Sequence, residues 1–75
     1  MNGLLKVKTG TVTNIYTKLD KRGNEMAWVT FDTKYGKVRT TVFSSMWKKQ
    51  KKNLVSNSKW WFYDKDGILK ELKAC

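Results

Sequence analysis

The stretch "MAWVTFDTKYG", residues 26–36, decides how this chain folds. Its side chains alternate, with Ala27, Val29 and Phe31 in one apolar row and Met26, Trp28, Thr30 and Asp32 in the other. That pattern is a β-strand with one buried face. The second row sets the largest apolar side chain beside a threonine and a carboxylate. A face that met only water would not need Trp28, so either another element covers it or a ligand meets it.

Working outward, "LLKVKTGTVTNIYTK" (4–18) is rich in β-branched residues and predicts a long strand, bent or bulged at Gly10. "LDKRGNE" (19–25) predicts a turn with Gly23-Asn24 at its tip, and "TKYG" a second, tight turn. "KVRTTVF" (37–43) sets Val38, Thr40 and Val42 against Lys37, Arg39 and Thr41. The three segments predict an antiparallel meander. "SSMWKKQKKNL" (44–54) changes period. Phe43, Trp47 and Leu54 fall near one helical stripe, with Ser44 or Ser45 placed to cap it and Lys48, Lys49, Lys51 and Lys52 pointing away. "KWWFY" (59–63) resumes a strand, "DKDG" (64–67) is a hairpin turn, and "ILKELKA" (68–74) reads as a last strand, although its leucines also fit a short terminal helix. Three strands, a short helix and two strands is the element order of an all-β, five-stranded Greek-key barrel, the OB-fold. One domain over residues 1–75 accommodates it, without repeats or linkers.

Composition narrows the function. Seventy-five residues lie near the lower limit for folding on one core without staples. There is no histidine, and the single cysteine is Cys75, which excludes a disulfide framework and a cysteine–histidine zinc site. No apolar run has the length of a membrane span or a signal h-region, so the sequence predicts a soluble, cytoplasmic protein with no membrane partner. Sixteen Lys+Arg against six Asp+Glu leave a net charge of +10. That charge on so small a body favours a polyanionic partner, of which nucleic acid is the commonest. All but Arg22 and Arg39 of those cations are lysines, suited to neutralising phosphates more than to reading base edges.

At this point the residues carry a resemblance. "G-x-V" at 10–12, "K-R-G-N-E-M-A-W-V-T-F" at 21–31, Gly36, "V-F" at 42–43 and "L-K-E-L" at 69–72 resemble the OB domain of bacterial replicative DNA polymerase III α subunits. The same pattern occurs in related anticodon-binding-type OB modules. The likeness spans roughly residues 8–73 and implies a replication-type module; with nothing else of a polymerase present, the small size suggests a free-standing, phage-like one. Two positions depart from it. Ser44 stands where the family usually has a proline, and Trp60, Trp61, Phe62 and Tyr63 fill a strand that usually holds a glycine.

The resemblance implies that Trp28, with Thr30 beside it, lies outward on a nucleic-acid groove, where a base can stack on the indole without sequence readout. Lys37 and Arg39 share that outer face. Lys18, Lys21 and Arg22 in the first loop flank it, free to close over a strand, and Asp20 and Asp32 partly offset them. Alternation in "KWWFY" separates Trp60 and Phe62 from Trp61 and Tyr63. The family register favours the first pair inside, leaving Trp61 as a candidate at the groove, while burial of all four remains open. Tyr16 and Tyr35 are exposed candidates on or beside the groove. Trp47 is expected to plug the barrel. Asp64 and Asp66 fall where an OB groove often has cations, and would repel a passing phosphate.

The acids are scattered, mostly in turns, and no phosphate loop, nucleophile elbow or metal-ligand cluster occurs. The sequence therefore predicts a non-enzyme without cofactor or metal. The leading expectation is a single-stranded nucleic-acid-binding protein, DNA favoured over RNA. The alternatives are a protein-interaction OB module for a replication or repair component, and an RNA- or tRNA-binding OB protein.

Overall fold

The two-residue period of 26–36 recurs along the chain, and wherever it does the computed structural model, which describes residues 7–75, has a strand. The elements are β1 (Lys8–Leu19), β2 (Glu25–Thr33), β3 (Gly36–Val42), α1 (Ser44–Gln50), β4 (Lys59–Lys65) and β5 (Ile68–Ala74). The expected start of the first strand, at residues 4–6, lies outside the described residues. The strands close into a barrel in the order β1-β2-β3-β5-β4. Closure depends on the length of β1. Its first part, Lys8–Thr11, pairs with β4, and Thr11–Leu19 pairs with β2. The other seam is parallel, where Thr41 of β3 meets Ile68 of β5, and the Thr41 N–H donates to the Gly67 carbonyl at 2.7 Å. A closed five-stranded barrel with one short helix between its third and fourth strands is an OB-like architecture. The last segment is a strand, paired with β4 from Trp60↔Ala74 to Lys65↔Ile68, with no helical turn.

The inward rows meet as expected. Val12, Ala27, Val29, Phe31, Val42, Trp60, Phe62 and Leu69 come from the strands, and Trp47 and Leu54 from α1 and the turns after it. Val38 is only half-buried, packed on the edge of this core with Ile15, Met46 and Leu72. The rings of Phe31 and Phe62 stack with centroids 4.1 Å apart, an arrangement worth about 0.5–1.5 kcal/mol beyond the area it buries. Gly10 lies beside that stack. A Cβ there would stand 2.9 Å from the Phe31 Cβ and 3.2 Å from the Phe62 Cε1, so the position is glycine because the two rings leave no room.

The irregularity of β1 is therefore not at Gly10. The register with β2 slips between Val12 and Asn14, making Thr13 the extra residue of a bulge. Gly10 and Val12 face inward before the bulge and Ile15 after it, so Tyr16 points outward. The backbone of Val12 is completed by the segment after the helix: its N–H donates to the Ser58 carbonyl, and its carbonyl accepts from Asn57 N–H, both at 2.8 Å.

The helix differs from expectation at both ends. Phe43 is the N-cap residue, and no side chain caps it, so neither Ser44 nor Ser45 fills that role. Phe43 is exposed, outside the buried stripe. The helix stops at Gln50, and residues 51–53 form turns before the buried Leu54. Trp47 does plug the barrel. Its indole N–H donates to Glu25 Oε1 at 3.0 Å, and Lys51 Nζ lies 3.8 Å from the same oxygen. The β4–β5 hairpin is tighter than "DKDG" suggested. Its turn is Asp66-Gly67 alone, with φ of 55° and 78°, the two positive values of a type I′ turn. Asp64 falls within β4 and is ion-paired with Lys8 at 2.8 Å, so it does not face a groove as an unpaired carboxylate.

Candidate nucleic-acid interface

The bulge fixes which residues share the outer face of β1, β2 and β3. Past it, Asn14 pairs with Thr30, Tyr16 with Trp28 and Lys18 with Met26. On the other side of β2, Trp28 pairs with Thr41 and Thr30 with Arg39. Directly opposed side chains on one face lie about 4.5–5.5 Å apart at Cβ, and diagonal neighbours remain within reach of long side chains. The rings follow. Tyr16 and Trp28 stack with centroids 5.4 Å apart and planes inclined by 18°. Lys18 Nζ lies 4.8 Å from the Trp28 ring centroid and Arg39 Cζ 4.9 Å from it. A cavity of about 310 Å³ opens here, lined by Asn14, Tyr16, Trp28, Thr30 and Arg39.

Exposure divides the labour between the two rings. Trp28 is half-buried, hemmed by Tyr16 and the two cations, whereas Tyr16 is 56% exposed. Tyr16 therefore offers the open π-face, and Trp28 backs it. Lys18 and Arg39 hold their charge against the indole quadrupole, an attraction of about 0.5–1 kcal/mol at exposed sites, which keeps two cations beside the ring pair. The outcome is an aromatic platform with a cation from each flanking strand.

Of the residues expected at the groove, Tyr16, Lys18, Trp28, Thr30 and Arg39 are brought together. Lys18 reaches it from within β1, not from the loop. Lys37 shares the outer face further along β3 and pairs with Asp32, which offsets its charge. Lys21 and Arg22 do not line the platform cavity; they belong to the β1–β2 turn, which is closed by Asp20. Asp20 Oδ1 accepts from the N–H groups of Arg22 and Asn24, each at 2.8 Å, and the Gly23 N–H donates to the Asp20 carbonyl. The Asp20 carboxyl is held below its ordinary 3.8, first by the Asn24 N–H; desolvation opposes this, while the N–H and charge of Arg22 and the Ser44 hydroxyl add to it. The turn is thus pinned rather than free to close over a strand. Gly23 and Asn24 of the turn border a cavity of about 410 Å³ that Lys48 and Lys51 of α1 also line.

Trp61 is not at the platform. It projects from β4, 49% exposed, beside a shallow cavity that Val7, Tyr63, Glu71 and Lys73 also line. Tyr35 is at the tip of the β2–β3 turn, away from Trp28. Asn14 is the lining residue that sequence reasoning missed. The spacing of Val12 and Ile15, three apart where a strand needs two, is the signal that would have placed Asn14 and Tyr16 on one face.

Among the described residues no group of three or more His, Cys, Asp or Glu side chains comes together as a metal site, and no helix is long and apolar enough to cross a membrane. No family model matches the chain, and neither do any of the curated proteins or solved structures compared with it.

Proposed function

We propose that this protein is a non-catalytic, single-stranded nucleic-acid-binding module with little sequence preference. The observation that carries this reading is the Tyr16–Trp28 stack, flanked by Lys18 and Arg39 on an open strand face of a chain with net charge +10. Every base has a π-face, so a base laid on Tyr16 gains about 1–3 kcal/mol whatever its identity. Lys18 and Arg39 are then within reach of the phosphates on either side, and the remaining lysines raise the encounter rate at low salt. A duplex, whose bases already stack on one another, offers the platform only its backbone. The preference for DNA over RNA follows from the likeness of residues 21–31 to the polymerase OB module and from nothing else.

Titration with single-stranded DNA, single-stranded RNA and duplex DNA at one salt concentration, followed by tryptophan fluorescence, tests the proposal. Quenching by single strands at concentrations where duplex gives none is expected. Equal binding to all three would reduce the reading to charge alone, and preference for a structured RNA would transfer it to the RNA-binding alternative. A second reading has its own observation. The half-exposed Trp61 lies on the β4–β5 face, apart from the platform, and an indole in that position suits a protein partner in a replication or repair assembly. Binding to no oligonucleotide of any kind would promote it.

A further inference from the structure

We infer that the strand track continues along β2 to a second subsite at the β2–β3 turn, where Tyr35 takes a base and Lys34 and Lys59 take its phosphates. The inference rests on the binding role proposed for the Tyr16–Trp28 platform and extends it to a different part of the barrel. Three observations meet there. Tyr35 is 87% exposed, the most exposed large apolar side chain among the described residues, and Lys34 Nζ lies 5.2 Å from its ring centroid. The cavity beside it, about 540 Å³, exceeds the one at the platform. Its lining is continuous with the platform face: Thr30 is followed outward on β2 by Asp32, which pairs with Thr11 of β1, and both Asp32 and Thr11 line the cavity.

The turn is built to hold Tyr35 out. Thr33 Oγ1 accepts from the Tyr35 N–H at 3.1 Å and donates to the Gly36 carbonyl at 2.7 Å, and Gly36 takes a φ of 120°. The two-residue tip therefore stands fixed with its ring in solvent, where burial stabilises nothing. Charge says which side a phosphate would take. Lys8 is committed to Asp64, whereas Lys34 and Lys59 have no ion-pair partner among the described residues. Asp32 repels a phosphate passing over the seam, and Lys37 opposite it on β3 offsets that repulsion. From Trp28 to Thr33 is five residues, about 17 Å at the usual strand rise. That span suits a strand of several nucleotides, within the site sizes of about 4–16 found for single OB barrels.

The test is fluorescence anisotropy with labelled oligothymidylates of about 4 and about 12 nucleotides, the lower and upper parts of that range. Wild type should bind the longer strand more tightly than the increased number of registers alone allows. Tyr35→Ala should weaken the longer strand by about 5- to 150-fold, one stacked base, and leave the shorter one unchanged. A Lys34→Ala, Lys59→Ala double variant should lower the salt slope for the longer strand by about 0.7 per lost contact, and not for the shorter. If Tyr35→Ala left both strands unaffected, or weakened both equally, the second subsite would be refuted while the platform stood. If the wild-type protein bound neither strand, the platform and its extension would fall together.

Discussion

Replacing Tyr16 by alanine should separate binding from folding. The residue is 56% exposed, and its ring stacks on Trp28 at 5.4 Å. Removing this largely exposed ring costs the pair energy of about 0.5–1.5 kcal/mol plus the little apolar area it still buries, so the domain should stay folded with a lower melting point. Binding should suffer more. The loss of one base–aromatic stack is about 1–3 kcal/mol, or about 5- to 150-fold in Kd. The slope of log K against log salt should hardly move, since no phosphate contact is removed. Tyr16→Phe should keep most of the affinity, because the π-face carries the contact. Trp28→Ala should lose a similar amount of affinity and more stability, because the indole is half-buried and backs Tyr16. Anisotropy of a labelled oligothymidylate at several salt concentrations, beside circular dichroism of each variant, provides the measurements. Native-like Tyr16→Ala and Trp28→Ala proteins that both bound as tightly as wild type would refute the platform, and the protein-interaction reading would then lead.

Four other variants probe separate links. Arg39→Ala should weaken binding for all sequences alike and lower the salt slope by about 0.7, as for one single-strand phosphate, and an unchanged slope in titrations would remove Arg39 from the backbone contacts. Gly10→Ala should destabilise the fold by about 1–3 kcal/mol, read in thermal melts, because the new Cβ would stand 2.9 Å from the Phe31 Cβ and 3.2 Å from the buried Phe62 ring. Val29→Asp should unfold the barrel, since an unpaired carboxylate in a fully buried position costs several kcal/mol against a total stability of about 5–15; a native circular-dichroism spectrum would contradict the core assignment. Asp20 has its folded value depressed below 3.8, so the stability it contributes is present above that pH and is lost as pH falls through the lower folded value. Asp20→Asn, which keeps an acceptor and loses the charge, should flatten this part of an acid titration read by circular dichroism, and an unchanged acid limb would remove Asp20 from it.

Most of the barrel was legible because its signals are local. Ala27, Val29 and Phe31 announce a one-sided strand whatever surrounds them, and Asp66-Gly67 carries the positive φ values of its turn in its own residue types. The errors came where a distant partner or the entry geometry of an element decided the outcome. Gly10 looks like a strand breaker in isolation, yet its reason is Phe31 and Phe62, from two other strands. Ser44 looks like a cap, but the chain enters α1 through Phe43. Asp64 looked like a groove carboxylate until Lys8, 56 positions away in sequence, paired with it. The aromatic and basic groups of the platform could be nominated from composition and strand face. Their exact pairing, Tyr16 opposite Trp28 with Asn14 beside them, could not, because it depends on a register set by the bulge in β1.

That register turns on one residue. Period-two alternation from Gly10 and Val12 would carry Asn14 and Tyr16 into the barrel and Ile15 out of it. Thr13 adds a step, and every side chain after it changes face. Two consequences follow together. Ile15 reaches the edge of the core, supplying apolar contact where the barrel leaves β4 behind, and Tyr16 emerges opposite Trp28. The Thr13 hydroxyl, 3.4 Å from the Thr30 carbonyl, lies at the bulge itself, two pairs along from the two rings. Bending β1 to close the barrel and presenting an aromatic pair on the outer face are thus the same structural event. A chain of this size has few residues to spare for a site that is not also part of closing the fold. The platform sits on β1, β2 and β3, whose pairing forms one continuous part of the closed barrel, so its geometry is set by the same hydrogen-bonded register that closes the fold.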